Sequence, residues 1–183
     1  IQVSQNGGKQ WREIEVGRLP GVPKTAFVND IRADLHDENT VYVALDNHKY
    51  GDFTPYLLVS RNRGKSWQSI TAGIPDRHLI WRIVQDHEQP NLLFVGTEFG
   101  VFVTLNGGDS WQTLGSGMPP IAIRDIQIQR RENDLVAASF GRGFFVLDDY
   151  SALRELAADT LAKEAVLFSP READWYFERG VLG

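Results

Sequence analysis

One eight-residue pattern occurs three times in the chain and constrains its fold more than any other feature. The copies are SQNGGKQW at 4–11, SRNRGKSW at 60–67 and TLNGGDSW at 104–111. The positions that the copies share are Ser4, Asn6, Gly8, Trp11, Ser60, Asn62, Gly64, Trp67, Thr104, Asn106, Gly108 and Trp111. A unit that recurs about every 40–60 residues indicates a repeat protein, and propeller blades have about this length.

The residue types of the pattern suit a tight hairpin turn. Asparagine tolerates left-handed backbone angles, and its side-chain oxygen can accept a hydrogen bond from the backbone two residues further on. Glycine supplies the positive φ that such a turn requires, and the Ser or Thr hydroxyl can bond across it. Tryptophan is large and apolar with one N–H to satisfy, so it suits the edge of a sheet core. The pattern therefore predicts a structural turn rather than a ligand loop.

The pattern resembles the Asp box, or BNR repeat, of sialidase-like and sortilin-like β-propellers. That family usually has Asp where this chain has Asn6, Asn62 and Asn106. Asn keeps the acceptor oxygen but carries no charge, so the turn is expected to persist. In the family the box joins the third and fourth strands of a blade, away from the binding face. The resemblance covers about residues 1–150, and the last blades look like those of large secreted bacterial BNR-repeat, glycosyl hydrolase-like proteins.

Strand-like segments are arranged in the same order before and after each box. The motifs VNDI (28–31), IWRI (80–83) and IRDI (123–126) each open a set of short apolar or alternating runs, which are typical of strands. The sequence therefore predicts an all-β fold. It is a partial β-propeller of four-stranded antiparallel blades with Asp-box turns, plus one C-terminal helix.

The expected domain organisation follows from these segments. Residues 1–150 should form propeller blades, and 151–183 a C-terminal helix and tail. Within the first part we expect a half-blade at 1–20 and blades at about 25–75, 79–117 and 121–150. Apolar residues at helical spacing predict a helix over 151–163 with Ser151 as its N-cap. Three blades leave sheet flanks uncovered, so the chain is expected to be the C-terminal part of a larger propeller.

Composition excludes several classes of function. The net charge of −5 over 183 residues disfavours a nucleic acid or an anionic membrane surface as partner. No apolar run approaches the length of a membrane span. There is no cysteine, and His48 has no second histidine at metal-ligand spacing, so neither a metal nor a cofactor is expected. Glycine-containing stretches such as GTEFG open into strands rather than helices, unlike phosphate loops.

The candidate site lies on the face opposite the boxes. Because adjacent strands run antiparallel, the starts of the innermost strands share a face with the loops between second and third strands. The long loop DNHKYGDFT (46–54) is an insertion of the kind that repeat proteins often use for binding. The candidate ligand-binding residues are Asn29, Asp30, His48, Tyr50, Asp52, Trp81, Arg82, Glu98, Arg124, Asp125 and Arg142.

Two functions remain open from the residues alone. Arg82, Arg124 and Arg142 could hold a carboxylate or sulfate, and Asp30, Glu98 and Asp125 could supply a glycosidase carboxylate pair. Equally, such arginines and aspartates could simply pair with each other. The preferred interpretation is a non-catalytic propeller segment that binds a glycan or a protein, completed by the rest of the propeller from a missing segment or a neighbouring chain. The alternative is a sialidase-like or other glycoside hydrolase with part of its active site outside this chain. The resemblance implies an extracytoplasmic setting, periplasmic or secreted, and transfers no catalytic residue.

Overall fold

The chain folds as consecutive antiparallel β-sheets. A computed structural model describes residues 1–115, 117–156, 160 and 163–169. These residues form one two-stranded sheet, two four-stranded sheets and one three-stranded sheet. Every strand pairs with its neighbour in sequence, so the order within each sheet is a simple meander. The described part contains no helix long and apolar enough to cross a membrane.

The sheets follow one another along the chain. The first sheet has β1 (Gln2–Val3) and β2 (Arg12–Glu13). Blade A has β3 (Phe27–Ala33), β4 (Val41–Asn47), β5 (Asp52–Ser60) and β6 (Gln68–Ser69). Blade B has β7 (Ile80–Gln85), β8 (Leu93–Thr97), β9 (Gly100–Thr104) and β10 (Gln112–Leu114). Blade C has β11 (Ile123–Gln129), β12 (Asp134–Ser139) and β13 (Phe144–Leu147). Short 3-10 helices span Val16–Arg18, His48–Tyr50 and Tyr150–Glu155.

Apolar side chains fill the spaces between successive sheets. One cluster includes Ile14 and Val43 and joins the first sheet to blade A. A second includes Leu57 and Ile83 and joins blade A to blade B, while a third includes Phe94 and joins blade B to blade C. Because blades A and B are covered on both faces, their second strands are buried along nearly their whole length rather than alternately. This face-to-face stacking is that of a partial β-propeller.

The repeated turns connect the third and fourth strands of their sheets. In the copy that follows β9, the Thr104 hydroxyl accepts from Gly108 N at 3.1 Å and donates to Asn106 Oδ1 at 2.7 Å. Asn106 Oδ1 also accepts from Ser110 N at 3.0 Å. The same bonds recur in the other two copies, around Ser4 and Asn6 and around Ser60 and Asn62. The shared residues are therefore hydrogen-bonded within the turn itself.

The turns of blades A and B also pack against the preceding sheet. Gly108 has φ +98°, and a Cβ there would lie 2.9 Å from Cδ1 of Ile70 in blade A. Trp111 is buried and donates its Nε1–H to the Ile70 carbonyl at 2.6 Å. Gly64 makes the equivalent close approach to Ile14 in the first sheet. Only glycine satisfies both the backbone angle and the contact, which explains its place in the pattern.

A 3-10 helix occupies the start of the expected helix over 151–163, and residue 160 is helical as well. The 3-10 helix spans Tyr150–Glu155, and Leu156 has extended backbone angles. The N-cap is Asp149, whose carboxylate accepts from Ser151 N at 3.2 Å, so the expectation that Ser151 is the cap is wrong. Of the expected helix over 151–163, residues 157–159 and 161–162 lie outside the described part. The expected tail at 164–183 has no regular element over 164–169, and 170–183 also lies outside the described part.

A buried carboxylate anchors this helix to blade B. Asp86 is fully buried and accepts hydrogen bonds from the Tyr150 hydroxyl at 2.7 Å and from Arg154 at 2.8 Å. Burial alone would raise the pKa of Asp86, but the bonds from Arg154, from the backbone N–H groups of residues 88 and 89 and from Tyr150 outweigh it. The pKa of Asp86 is therefore lowered. The carboxylate stays ionised, and Arg154 neutralises it.

Candidate ligand-binding site

Each blade has a β-bulge at the same place in its innermost strand. The pairing register shifts between Val28 and Asp30 in β3, between Ile80 and Arg82 in β7, and between Ile123 and Asp125 in β11. The bulged residues are Asn29, Trp81 and Arg124. A bulge leaves one residue unpaired and redirects its side chain. These three side chains lie at the end of the blades that carries the β4–β5, β8–β9 and β12–β13 hairpins, called the hairpin face below; the opposite end carries the repeated turns and is called the turn face.

The residues that follow the bulges form one charged network across the three blades. The Arg82 guanidinium in blade B donates to Asp125 in blade C at 3.2 Å and to the Asn29 carbonyl in blade A at 2.7 Å. Asp30 lies 3.9 Å from the same guanidinium, and it accepts from Arg32 at 3.0 Å and from the Ile83 backbone N–H at 3.1 Å. Asp30, Arg82 and Asp125 are thus engaged by partners within the protein.

Two of the bulged residues stack on each other at the blade B–blade C boundary. The Arg124 guanidinium lies 3.7 Å from the centre of the Trp81 ring, within the range of a cation–π interaction. Trp81 Nε1 donates to Glu98 Oε2 at 2.9 Å, and Arg124 lies 3.9 Å from the same oxygen. Glu98 comes from the β8–β9 hairpin. The sequence-predicted residues Trp81, Glu98 and Arg124 therefore form one group.

A histidine–aspartate pair borders this group on the blade A side. The His48 ring lies edge-on to Trp81, with the ring centres 6.0 Å apart. Nδ1 of His48 contacts the Asp46 carboxylate, which also accepts from the His48 backbone N–H at 3.2 Å. The Asp46 side chain is almost completely buried, whereas about two fifths of the His48 side chain is exposed. Asp46 therefore fixes the orientation of the ring and leaves Nε2 as its outward nitrogen.

These side chains line a small open pocket of about 230 Å³ on the hairpin face. Arg77, from the connection between blades A and B, forms another wall with Phe53 and Phe99. Its guanidinium lies 5.0 Å from the centre of the Phe53 ring. Arg77 has φ +69°, which is unusual for a residue other than glycine, and such angles are often found at functional sites. The volume suits a single side chain or one sugar ring rather than a drug-sized ligand.

The remaining predicted residues do not line the pocket. Tyr50 is largely exposed at the end of the His48–Tyr50 helix. Asp52 accepts from the Tyr56 hydroxyl at 2.7 Å and from Thr54 N at 3.0 Å. Burial would raise the pKa of Asp52, but these hydrogen bonds lower it. Arg142 lies in the exposed β12–β13 hairpin and contacts none of the other candidates through a hydrogen bond or ion pair within the described residues.

Sequence reasoning missed Asp46, Phe53, Arg77 and Phe99. Asp46 ends the apolar run TVYVALD and looks like the last residue of a strand, but its position two residues before His48 could have indicated a hydrogen-bonded turn. Arg77 sits in a connection whose path the sequence does not specify. Among the described residues no group of three or more His, Cys, Asp or Glu side chains could hold a metal ion.

Comparison with known proteins supports the fold. No protein-family model and no curated protein sequence matches the chain. Among solved structures, an ancestral GH74 enzyme is similar over 75% of this chain, with 21% identity and a TM-score of 0.57. YCF48 bound to D1 peptide is similar over 79%, with 16% identity and a TM-score of 0.53. The GH74 xyloglucanase of Xanthomonas campestris matches over 60%, with 15% identity and a TM-score of 0.47.

The matches cover only part of the proteins compared. The chain spans 19% of the ancestral GH74 enzyme, 42% of YCF48 and 18% of the xyloglucanase. At these identities the likeness to the ancestral GH74 enzyme and to YCF48 shows a β-propeller fold. One of these two fold neighbours is thus a glycoside hydrolase, and the other is a propeller bound to a peptide.

Proposed function

We propose that this chain is a non-catalytic propeller segment that binds a glycan or a protein ligand on the hairpin face. One observation carries the proposal: the carboxylates available for acid–base chemistry are held by partners. Asp30 and Asp125 are bonded to arginines, and Glu98 is bonded to Trp81. A glycosidase needs one carboxyl group to protonate the leaving group and a second to act on the sugar or on water. In this network the carboxylates instead accept hydrogen bonds from side chains of the protein itself.

We also propose that the repeated turns are Asp boxes and that the chain belongs with the sialidase-like and sortilin-like propellers. The Ser/Thr-Asn-Gly-Trp pattern and its hydrogen bonds within the turn support this assignment. The same resemblance supports an extracytoplasmic location, periplasmic or secreted. The rest of a propeller, from another segment or a neighbouring chain, is the proposed partner of the exposed apolar side of blade C, where Phe144 and Val146 are open to solvent.

Glycoside hydrolysis is the second candidate function, favoured by the fold likeness to an ancestral GH74 enzyme. A direct test compares the wild-type chain with the triple variant Asp30→Asn, Glu98→Gln, Asp125→Asn. Both are incubated with a panel of polysaccharides that includes xyloglucan, and released reducing ends are measured. We expect no release above that of the variant. Release by the wild type alone would show that the chain is a hydrolase.

Binding is tested on the same panel together with a peptide array. Hydrogen–deuterium exchange then maps the segments of the protein that are protected by any glycan or peptide found to bind. We expect protection at 48–53 and 98–99 on the hairpin face, and none at the repeated turns. Protection confined to 104–111 would contradict the proposed binding face.

A further inference from the structure

Two arginines face the same small pocket with their hydrogen-bonding edges unused. Arg77 makes no hydrogen bond or ion pair, and Arg124 makes no hydrogen bond, with any residue of the described part. Each guanidinium instead lies over an aromatic ring, with Arg77 5.0 Å from the centre of the Phe53 ring and Arg124 3.7 Å from the centre of the Trp81 ring. The N–H groups of a guanidinium match the two oxygens of a carboxylate. The pocket therefore presents two cationic donors to an anionic group.

Two rings of this pocket, Trp81 and Phe53, are poorly placed to stack on a sugar. Stacking requires an open ring face, and Arg124 covers one face of Trp81 while Arg77 lies over Phe53. Sugar hydroxyls also need acceptors, and the carboxylate that lines the pocket, Glu98, already accepts from Trp81. The donors in the pocket thus exceed the free acceptors, which favours a ligand that brings negative oxygens of its own.

Exposed apolar rings surround the two arginines. Phe99 is 46% exposed and Phe140 is 70% exposed, and Arg124 lies 5.5 Å from the centre of the Phe140 ring. Arginine and aromatic residues are enriched at the centres of protein interfaces and dominate their binding energy. Rings left open to water around a charged pocket are expected where a protein partner covers them.

From these contacts we propose that the pocket between Arg77 and Arg124 binds a carboxylate of a protein ligand, in a segment that alternates acidic and apolar residues. The inference rests on the proposed binding function and names the ligand class of that same site. The carboxylate accepts hydrogen bonds from the guanidinium edges of both arginines. The neighbouring apolar side chains of the ligand cover Phe99 and Phe140.

Fluorescence anisotropy with labelled probes tests the inference. The probes are a nine-residue peptide that alternates Glu with Leu and Phe, the same peptide with Gln for every Glu, and polygalacturonate as an anionic glycan. We expect the Glu peptide to bind at least about ten-fold more tightly than the Gln peptide, because a hydrogen bond between charged groups is worth about twice a neutral one. Arg77→Gln and Arg124→Gln should each weaken binding about ten-fold.

Matched variants separate the site from general charge attraction. Arg131→Gln removes an exposed arginine from the β11–β12 hairpin on the turn face, where Arg131 pairs with Glu132, and should leave binding within about two-fold. Arg124→Lys keeps the charge but loses the planar fork, so an intermediate loss is expected. Unchanged melting temperatures confirm that the variants are folded.

Several results would overturn the inference. They are equal binding of the Glu and Gln peptides, tighter binding of polygalacturonate through the same arginines, or an equal loss in Arg131→Gln. If a glycan binds on the hairpin face and no acidic peptide does, the carboxylate inference fails while the binding function stands. Hydrolysis that depends on Asp30, Glu98 or Asp125 would instead refute the proposal that the chain is non-catalytic.

Discussion

Replacing Asn106 by alanine tests whether the repeated turns stabilise the fold rather than bind a ligand. The change removes two hydrogen bonds accepted by Oδ1, from Ser110 N at 3.0 Å and Thr104 Oγ1 at 2.7 Å, and one donated by Nδ2 to Ser110 Oγ at 3.0 Å. Each such bond contributes about 1 kcal/mol net, but Asn106 and Ser110 are exposed, so water replaces part of the loss. We expect the free energy of unfolding to fall by about 1–2 kcal/mol. For a chain of this size the melting temperature then falls by roughly 2–8 °C.

Urea unfolding followed by tryptophan fluorescence measures this loss, provided that the slope with urea is the same in both proteins. Asn106→Asp is the matched control. It keeps the acceptor oxygens, and the Ser110 hydroxyl can donate where it previously accepted, so its stability should stay within about 0.5 kcal/mol of wild type. Asn62→Ala should behave like Asn106→Ala, since its turn has the same bonds. If Asn106→Ala keeps full stability but loses a ligand, the structural interpretation of the turns is refuted.

Three further outcomes follow from the fold. Because the pKa of Asp86 is lowered in the folded protein, its contribution to the free energy of unfolding is complete above about pH 4 and is lost as pH falls through that pKa. Asp86→Asn should lower the free energy of unfolding by about 3 kcal/mol at pH 7, with Arg154 still paired to Glu88 at 2.9 Å. Urea melts of this variant should show a smaller change of stability with pH in acid, and an unchanged pH profile would contradict the assignment. Trp111→Phe should cost about 1 kcal/mol more than Trp67→Phe in the same melts, because Trp111 Nε1 donates to a carbonyl while Trp67 Nε1 is buried without a partner among the described residues; equal losses would refute this reasoning. Light scattering of the isolated chain should show association through the exposed apolar side of blade C, and a monodisperse, cooperatively melting monomer would contradict that expectation.

The sequence predicted the strands well because each is bounded by a chemically distinct turn. The motifs VNDI, IWRI and IRDI mark where β3, β7 and β11 run, and the segments after them match the observed strands to within a few residues. Period-two alternation and turn residues are local properties, so they can be read without knowing the partner strand. The helix that begins after blade C was predicted without its 3-10 form over Tyr150–Glu155. Its apolar spacing fits either helix type, but the contacts of Tyr150 and Arg154 with Asp86 favour the short 3-10 form.

The site was only partly predictable because its geometry depends on contacts between blades. Trp81, Glu98 and Arg124 were predicted as candidates from their positions at strand starts and in a hairpin. The stacking of Arg124 on Trp81 was not foreseen, since it requires the bulges in β7 and β11, and a bulge is a property of two paired strands. Arg77 approaches the pocket from a connection between blades, which carries no periodic signal.

The repeat itself separates positions that are constrained by the fold from positions that vary between blades. On the turn face the three copies share their Asn and Gly residues, and these side chains and glycine contacts are used within the turn or against the preceding sheet. On the hairpin face the blades share a backbone feature, the bulge, but place Asn29, Trp81 and Arg124 on it. A common bulge fixes where a side chain points, while its identity is free to vary without disturbing the sheet. The positions at which the blades differ on this shared bulge are therefore the ones through which we propose that the chain binds a ligand.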